Sequence, residues 1–199
     1  MSNNELQFDI DNGVGVVTLN RPHSRNALTI AMYEQLAQIS TDIIEKRHEV
    51  QVLIITGSGD KAFAAGTDIN SFKDLHTAED ALSYERLMDK VLGTLESVPI
   101  PTLAAIRGAC TGGGAAIAAC CDLRIADEHL KFGFPIARTL GNCLSAGNLA
   151  RLVELLGSSL TREILFTARL IFKDEALSVR LINECHEDPL SRAHELSET

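Results

Sequence analysis

Two runs constrain this chain most: residues 50–56 and residues 102–106. Both are rich in Val, Ile, Leu and Ala and carry no regular alternation of polar and apolar positions. Such a run is a strand buried on both faces, and a strand of that kind needs covering layers above and below it, which is the situation of a parallel sheet wrapped in helices. The segments around the runs have the other period. In residues 29–46, Met32, Leu36, Ile39 and Ile43 recur at helical spacing behind a Thr29 that can cap the helix. In residues 79–97, Leu82, Leu87, Val91, Leu92 and Leu95 do the same until Pro99 and Pro101 forbid continuation. Residues 7–10 and 14–19 read as a hairpin about Asp11-Asn12-Gly13. A further strand is expected at 123–126, a small-residue helix at about 115–121, and helices at about 145–156, 158–167 and 173–179. Strands alternating with helices predict an α/β protein.

The chain has 199 residues, enough for one large domain or one and a half, and 45% are hydrophobic, enough for a real core. A net charge of −9 argues against a general nucleic-acid binder, which needs a surplus of Lys and Arg. The longest apolar stretch, residues 99–121, is interrupted by Arg107 and four glycines, so no membrane span is expected, and residues 1–10 lack the pattern of a signal peptide. The five cysteines have no metal-ligand spacing, and neither do His23, His48, His76, His129, His186 and His194. No metal is expected, and the odd cysteine count fits a reducing, cytoplasmic setting.

Four segments occur in an order that resembles one family. Residues 20–28 (NRPHSRNAL) come first. Residues 61–69 (KAFAAGTDI) follow, then 101–108 leading into Cys110-Thr111-Gly112-Gly113-Gly114. Cys121-Asp122-Leu123-Arg124-Ile125-Ala126 and Phe132-Gly133-Phe134-Pro135 complete the set. Together they are similar to the signatures of the enoyl-CoA hydratase/isomerase (crotonase) superfamily, from about Leu6 to Glu184. The resemblance implies a spiral of ββα repeats with a C-terminal helical part, here shortened or missing. It divides the chain into an acyl-CoA-binding core over 1–185 and the start of that helical part over 186–199. It implies an acyl-CoA substrate, no separate cofactor, and a homo-oligomer (a trimer or dimer of trimers) where the C-terminal helices are present.

The resemblance also carries site residues. The backbone amides of Thr67 and Gly113 would form an oxyanion hole, and Gly112-Gly113-Gly114 permits the close backbone approach this needs. A tight turn accounts for the glycines taken alone, and a helix cap for Thr67. Arg25 would meet CoA phosphates, or is a solvated surface arginine. Ala27, Ala65 and Ile69 would line the CoA track beside Asp68, whose carboxylate can also simply hold the loop. Hydratases of the family add water with two glutamates, and at those positions this chain has Ala116 and Ile136. A methyl and a sec-butyl group carry no proton, so standard hydration is not expected. The segment after Pro135 departs too and brings Arg138, Asn142 and Cys143 forward as acyl-pocket candidates. Arg138 can clamp a carboxylate or serve a loop salt bridge, and Cys143 can be a nucleophile or an inert buried thiol. Tyr84, Glu85 and Asp89 are either acid–base groups or a solvated helix face. Three functions remain open: a non-hydratase enzyme on acyl-CoA, a hydratase or isomerase with relocated acid–base groups, and a non-catalytic CoA-binding protein.

Overall fold

A computed structural model describes residues 5–72, 77–139 and 143–198. The chain opens with the expected hairpin, β1 (Leu6–Asp11) and β2 (Val14–Leu19), paired antiparallel from Leu6↔Leu19 to Asp11↔Val14. Helix α1 (Ile30–Ile44) begins where Thr29 accepts the Met32 N–H at 3.3 Å, as its position predicted.

Three ββα units follow. The first is β3 (Val52–Gly57), β4 (Ala62–Ala64) and α2 (Ala78–Glu96). The second is β5 (Thr102–Ile106), β6 (Ala109–Thr111) and α3 (Gly113–Cys120). The third is β7 (Leu123–Ala126), β8 (Lys131–Gly133) and the single turn α4 (Ile136–Thr139). Helix α5 (Ala146–Thr167), β9 (Ile171–Phe172), α6 (Lys173–Ser178), β10 (Glu184–Cys185) and α7 (Pro189–Ser197) complete the chain. The two helices expected at 145–156 and 158–167 are the two halves of α5, which meet at Gly157, whose φ of 73° no helix accommodates.

In each unit the first strand enters one sheet and the second strand enters another. The six-stranded sheet runs β1-β2-β3-β5-β7-β10, and the four-stranded sheet runs β4-β6-β8-β9. The corners between sheets are tight. A side chain at Gly108, where φ is +67°, would come within 2.4 Å of the Lys61 carbonyl, so the second corner admits only glycine. The buried Asp127 holds that corner from the third unit, its Oδ1 accepting the N–H groups of Gly108 (2.9 Å) and His129 (3.0 Å). The ββα repeats implied by the resemblance are present, but the residue pattern by itself leaves 57–66 as a loop and does not place the strands of the second sheet. Strands of three residues are too short to show a period.

The main core lies between the sheets and the helices. Leu53 and Ile55 of β3, Ile106 of β5, Tyr33 and Leu36 of α1, and Val91 and Leu95 of α2 are all within 1% of complete burial. Side chains of this size each contribute about 1.5–3 kcal/mol on burial. The opposite face of the six-stranded sheet presents Ile54, Leu103, Ala105 and Ile125, and α7 covers it with the buried Ala193. Both faces of the central strands are thus covered, which accounts for the unbroken apolar runs that define them. Among the described residues no helix is long and apolar enough to cross a membrane.

Candidate active site

The ladder of the second sheet positions the site. β4 and β6 run parallel with Ala62 opposite Ala109 and Ala64 opposite Cys110. The loops that leave their C-terminal ends, Ala65-Gly66-Thr67 and Gly112-Gly113, therefore emerge side by side. Contact between them is close: a Cβ on Gly112 would lie 3.3 Å from the Gly66 Cα, and one on Gly66 would lie 4.0 Å from the Gly113 nitrogen. Both glycines have positive φ, +112° at Gly66 and +54° at Gly112. A larger residue at either would be strained, and at Gly112 crowded as well.

The first loop is held from outside by residues 25–28. Ala65 N–H donates to the Arg25 carbonyl (3.0 Å), Leu28 N–H to the Gly66 carbonyl (2.8 Å), and Asp68 N–H to the Leu28 carbonyl (2.8 Å). Asn26 is fully buried, and its amide spans from the Arg21 N–H to the carbonyls of Ser58 (2.9 Å) and Ala62 (2.7 Å). Arg21 donates to the Ala27 carbonyl at 2.6 Å and to Asp68 Oδ2 at 2.8 Å. Asp68 Oδ1 also accepts the Asn70 N–H and amide, each at 2.9 Å. The Asn70 bonds, then Arg21, hold its carboxyl below the usual range, against a smaller opposing effect of burial. These bonds leave the N–H groups of Thr67 and Gly113, the latter at the first turn of α3, with no protein acceptor among the described residues. Helix N-termini leave such donors unpaired by their geometry.

Both loops face a cavity of about 400 Å³. Its wall takes in Gly66, Thr67, Gly112 and Gly113 from the two loops, Tyr84, Glu85 and Met88 from α2, and Phe134, Pro135 and Ile136 from the third unit. Ala116 and Ile136 both line it, so the two positions that lack carboxylates stand at the cavity surface. Ala65 and Ile69 line it as well, Ile69 at the rim with 72% of its surface exposed.

Three hydroxyls form a chain beside the first loop. Tyr33 Oη lies 2.9 Å from Thr67 Oγ1, which lies 3.0 Å from Tyr84 Oη. Burial, then the neighbouring Tyr84, pushes the Tyr33 phenol far above its ordinary value, against the opposing bond to Thr67. Tyr84 is shifted upward as well, chiefly by burial. Both phenols therefore stay protonated at neutral pH. Three hydroxyl protons serve two contacts, so one is left over. Tyr33 is 1% exposed and has no second acceptor among the described residues, so its proton goes to Thr67. The surplus proton is then presented from Thr67 or Tyr84, both on the cavity wall.

Some of the sequence candidates come together here and some do not. Cys143 lines the cavity near the N-terminus of α5, where Ser145 Oγ accepts the Asn148 N–H and donates to Asp89 Oδ1 at 2.8 Å. Arg138 is exposed on α4 and outside the cavity lining, and Asn142 lies outside the described residues. Arg25 is exposed, with φ of 51°, and lines a separate cleft of about 130 Å³ together with Lys61. Among the described residues no cluster of His, Cys, Asp and Glu is arranged to hold a metal ion. Cys110, Cys120 and Cys121 are buried about α3, and burial pushes their thiols up, Cys120 to about 12. Sequence reasoning missed Tyr33. It sits among apolar positions of α1, and its partner is 34 residues away.

The family model described as enoyl-CoA hydratase/isomerase matches residues 9–195. A short-chain-enoyl-CoA hydratase of Clostridium acetobutylicum is 37% identical over 184 residues, which span 92% of this chain and 69% of the relative. A crotonyl-CoA hydratase of Syntrophomonas wolfei is 35% identical, over 92% of this chain and 70% of the relative. In three dimensions, an enoyl-CoA hydratase/carnithine racemase of Magnetospirillum magneticum superposes with a TM-score of 0.89 at 37% identity, across 99% of this chain and 73% of its own. An enoyl-CoA hydratase of Bacillus anthracis gives 0.89 at 31% identity, across 98% and 75%.

Proposed function

Since this chain belongs to the enoyl-CoA hydratase/isomerase family, we propose that it is an enzyme that binds an acyl-CoA thioester and stabilises its enolate or tetrahedral oxyanion with the N–H groups of Thr67 and Gly113. The observation that carries this reading is the convergence of two loops on one cavity, each bringing an N–H that no protein acceptor among the described residues takes. A thioester oxygen gains negative charge as an enolate or tetrahedral intermediate forms, and a preorganised donor at that oxygen is typically worth about 2.7–4 kcal/mol. Here the donors sit on rigid backbone, one at the start of α3, where the helix dipole adds positive potential. The acyl chain lies along the apolar wall of Met88, Leu92, Phe134 and Ile136. The CoA moiety runs out past Ala65 and Ile69, with Arg25 and Lys61 at the neighbouring cleft as the cations for its phosphates.

The chemistry is not standard hydration. Ala116 and Ile136 stand at the cavity surface where the relatives' reaction would call for two carboxylates, and neither side chain can move a proton. Two measurements test this. Titration calorimetry with acetyl-CoA should give a binding isotherm, and the absence of binding would overturn the acyl-CoA reading. Incubation with crotonyl-CoA should leave the enoyl-thioester absorbance unchanged, and turnover would overturn the argument from Ala116 and Ile136.

A further inference from the structure

Helix α2 carries five carboxylates, and four of them are engaged. Glu79 pairs with Arg86 at 2.9 Å. Asp80 closes the capping box with Thr77. Asp89 accepts Ser145 Oγ at 2.8 Å, and Glu96 binds Arg151 at 2.7 Å. Glu85 has no ion pair or hydrogen bond among the described residues, and it is the one carboxylate among the described residues that line the 400 Å³ cavity. A half-buried, unpaired carboxylate is an unfavourable element of a merely solvated helix face. Phe72, Tyr84 and Met88 line the same cavity, and Tyr84 itself touches the first loop through Thr67 at 3.0 Å. Burial, then the nearby Asp89 charge, raises its carboxyl above the ordinary value.

We infer that Glu85 is the proton-transferring residue of this pocket, a catalytic carboxylate carried on α2 in place of those absent at positions 116 and 136. The inference rests on the acyl-thioester reading above. The carboxylate removes a proton from the α-carbon of the bound acyl group. The C–H electron pair moves into the Cα–carbonyl bond, and the carbonyl π pair moves onto the thioester oxygen, where the Thr67 and Gly113 amides receive the charge. Glu85, now protonated, returns a proton to the enolate. Return to the same carbon, once the carboxylic acid has traded its proton with solvent water, gives exchange, and return to a conjugated carbon further along the chain gives double-bond migration. No co-reactant beyond solvent water is required in either case. The substrates this fits are acyl-CoA esters with an activated α-C–H, such as those with a β,γ double bond.

The test is exchange of the α-hydrogens of 3-butenoyl-CoA in D2O, followed by mass spectrometry, alongside calorimetric affinity for the same compound. Wild type should incorporate deuterium. The nearly isosteric Glu85→Gln should slow incorporation at least about 100-fold, within the range general acid–base groups supply, while its Kd stays within about threefold. Glu85→Asp should recover part of the rate. The wild-type rate should rise with pH through a midpoint above the ordinary carboxylate value, and that limb should vanish in Glu85→Gln. The other titratable groups placed with Glu85 are Tyr84, Tyr33 and Cys143, which line the same cavity, and Asp89, whose charge acts on it from the same helix. Wild-type exchange that persists undiminished in Glu85→Gln overturns the inference and leaves the acyl-thioester reading standing. So does binding by wild type without any exchange. Failure of wild type to bind any acyl-CoA overturns both.

Discussion

Gly113→Ala retains the backbone N–H proposed for catalysis and changes only what stands beside it. The added Cβ would lie 2.0 Å from Tyr33 Oη and 3.2 Å from both Tyr33 Cζ and Leu28 Cδ1. Tyr33 is 1% exposed and hydrogen-bonded to Thr67, so its hydroxyl has nowhere to retreat without leaving that bond. Overpacking of this kind costs about 1–3 kcal/mol, and an orphaned buried hydroxyl about 1–3 kcal/mol more. Gly113→Ala should therefore destabilise the fold by about 2–6 kcal/mol. In a Tyr33→Phe background the 2.0 Å contact has no atom to meet, and only the two 3.2 Å contacts remain, so the same substitution should cost about 1 kcal/mol. Tyr33→Phe alone gives up one hydrogen bond, about 1 kcal/mol. The double mutant should thus be more stable than the sum of the singles by at least about 1 kcal/mol, outside the scatter expected of independent sites. Urea unfolding of the four proteins, compared at constant m-value, measures this. Strict additivity would refute the placement of the Tyr33 hydroxyl against Gly113, and with it the hydroxyl chain.

Two further outcomes follow from the same loop. Thr67→Ala keeps the amide and removes the middle hydroxyl, so turnover should fall less than about tenfold while stability drops by about 1–2 kcal/mol for the two lost bonds; a thousandfold loss of kcat would give the side chain a role assigned here to the backbone. Asp68 has a carboxyl held below its ordinary value by Asn70 and Arg21. Its contribution to stability is therefore fully present above the unfolded value near pH 4 and fades as pH falls through the lowered folded value. Asp68→Asn should lower the urea midpoint at pH 7, and the difference from wild type should close in strong acid. A difference that persists there would mean that packing, not charge, is what Asp68 supplies.

The parts of this molecule that sequence makes legible are those whose physics is local or repetitive. Residues 103–106 are apolar at every position, behind the buried Thr102, because both faces of β5 are covered, so the strand is found to the residue. Thr29 and the apolar spacing of α1 likewise fix a helix from its own residues. The second sheet escaped because β4, β6 and β8 have three residues each and draw their stability from pairing with one another. Glu85 and Asp89 are both acids on α2. Only three dimensions separate the one that Ser145 engages from the one that faces the cavity. The Tyr33–Thr67–Tyr84 chain joins residues 34 and 17 apart across a helix, a loop and a second helix, so no spacing rule could have found it.

The parallel register β4-β6-β8 has a consequence for how such a site can change. Its first two strands deliver the amides proposed to meet the thioester oxygen, and its third, paired Cys110↔Phe132 and Thr111↔Gly133, delivers the segment from Phe134 onward. Electrostatic machinery and chemical specialisation thus leave the same ladder by different exits. The hydrogen bonds that hold the Thr67 loop run to residues 25–28 and not to the side chains at 85, 116 and 136, so on the reading proposed above a single way of steadying a thioester oxygen is open to many different fates for the carbon beside it.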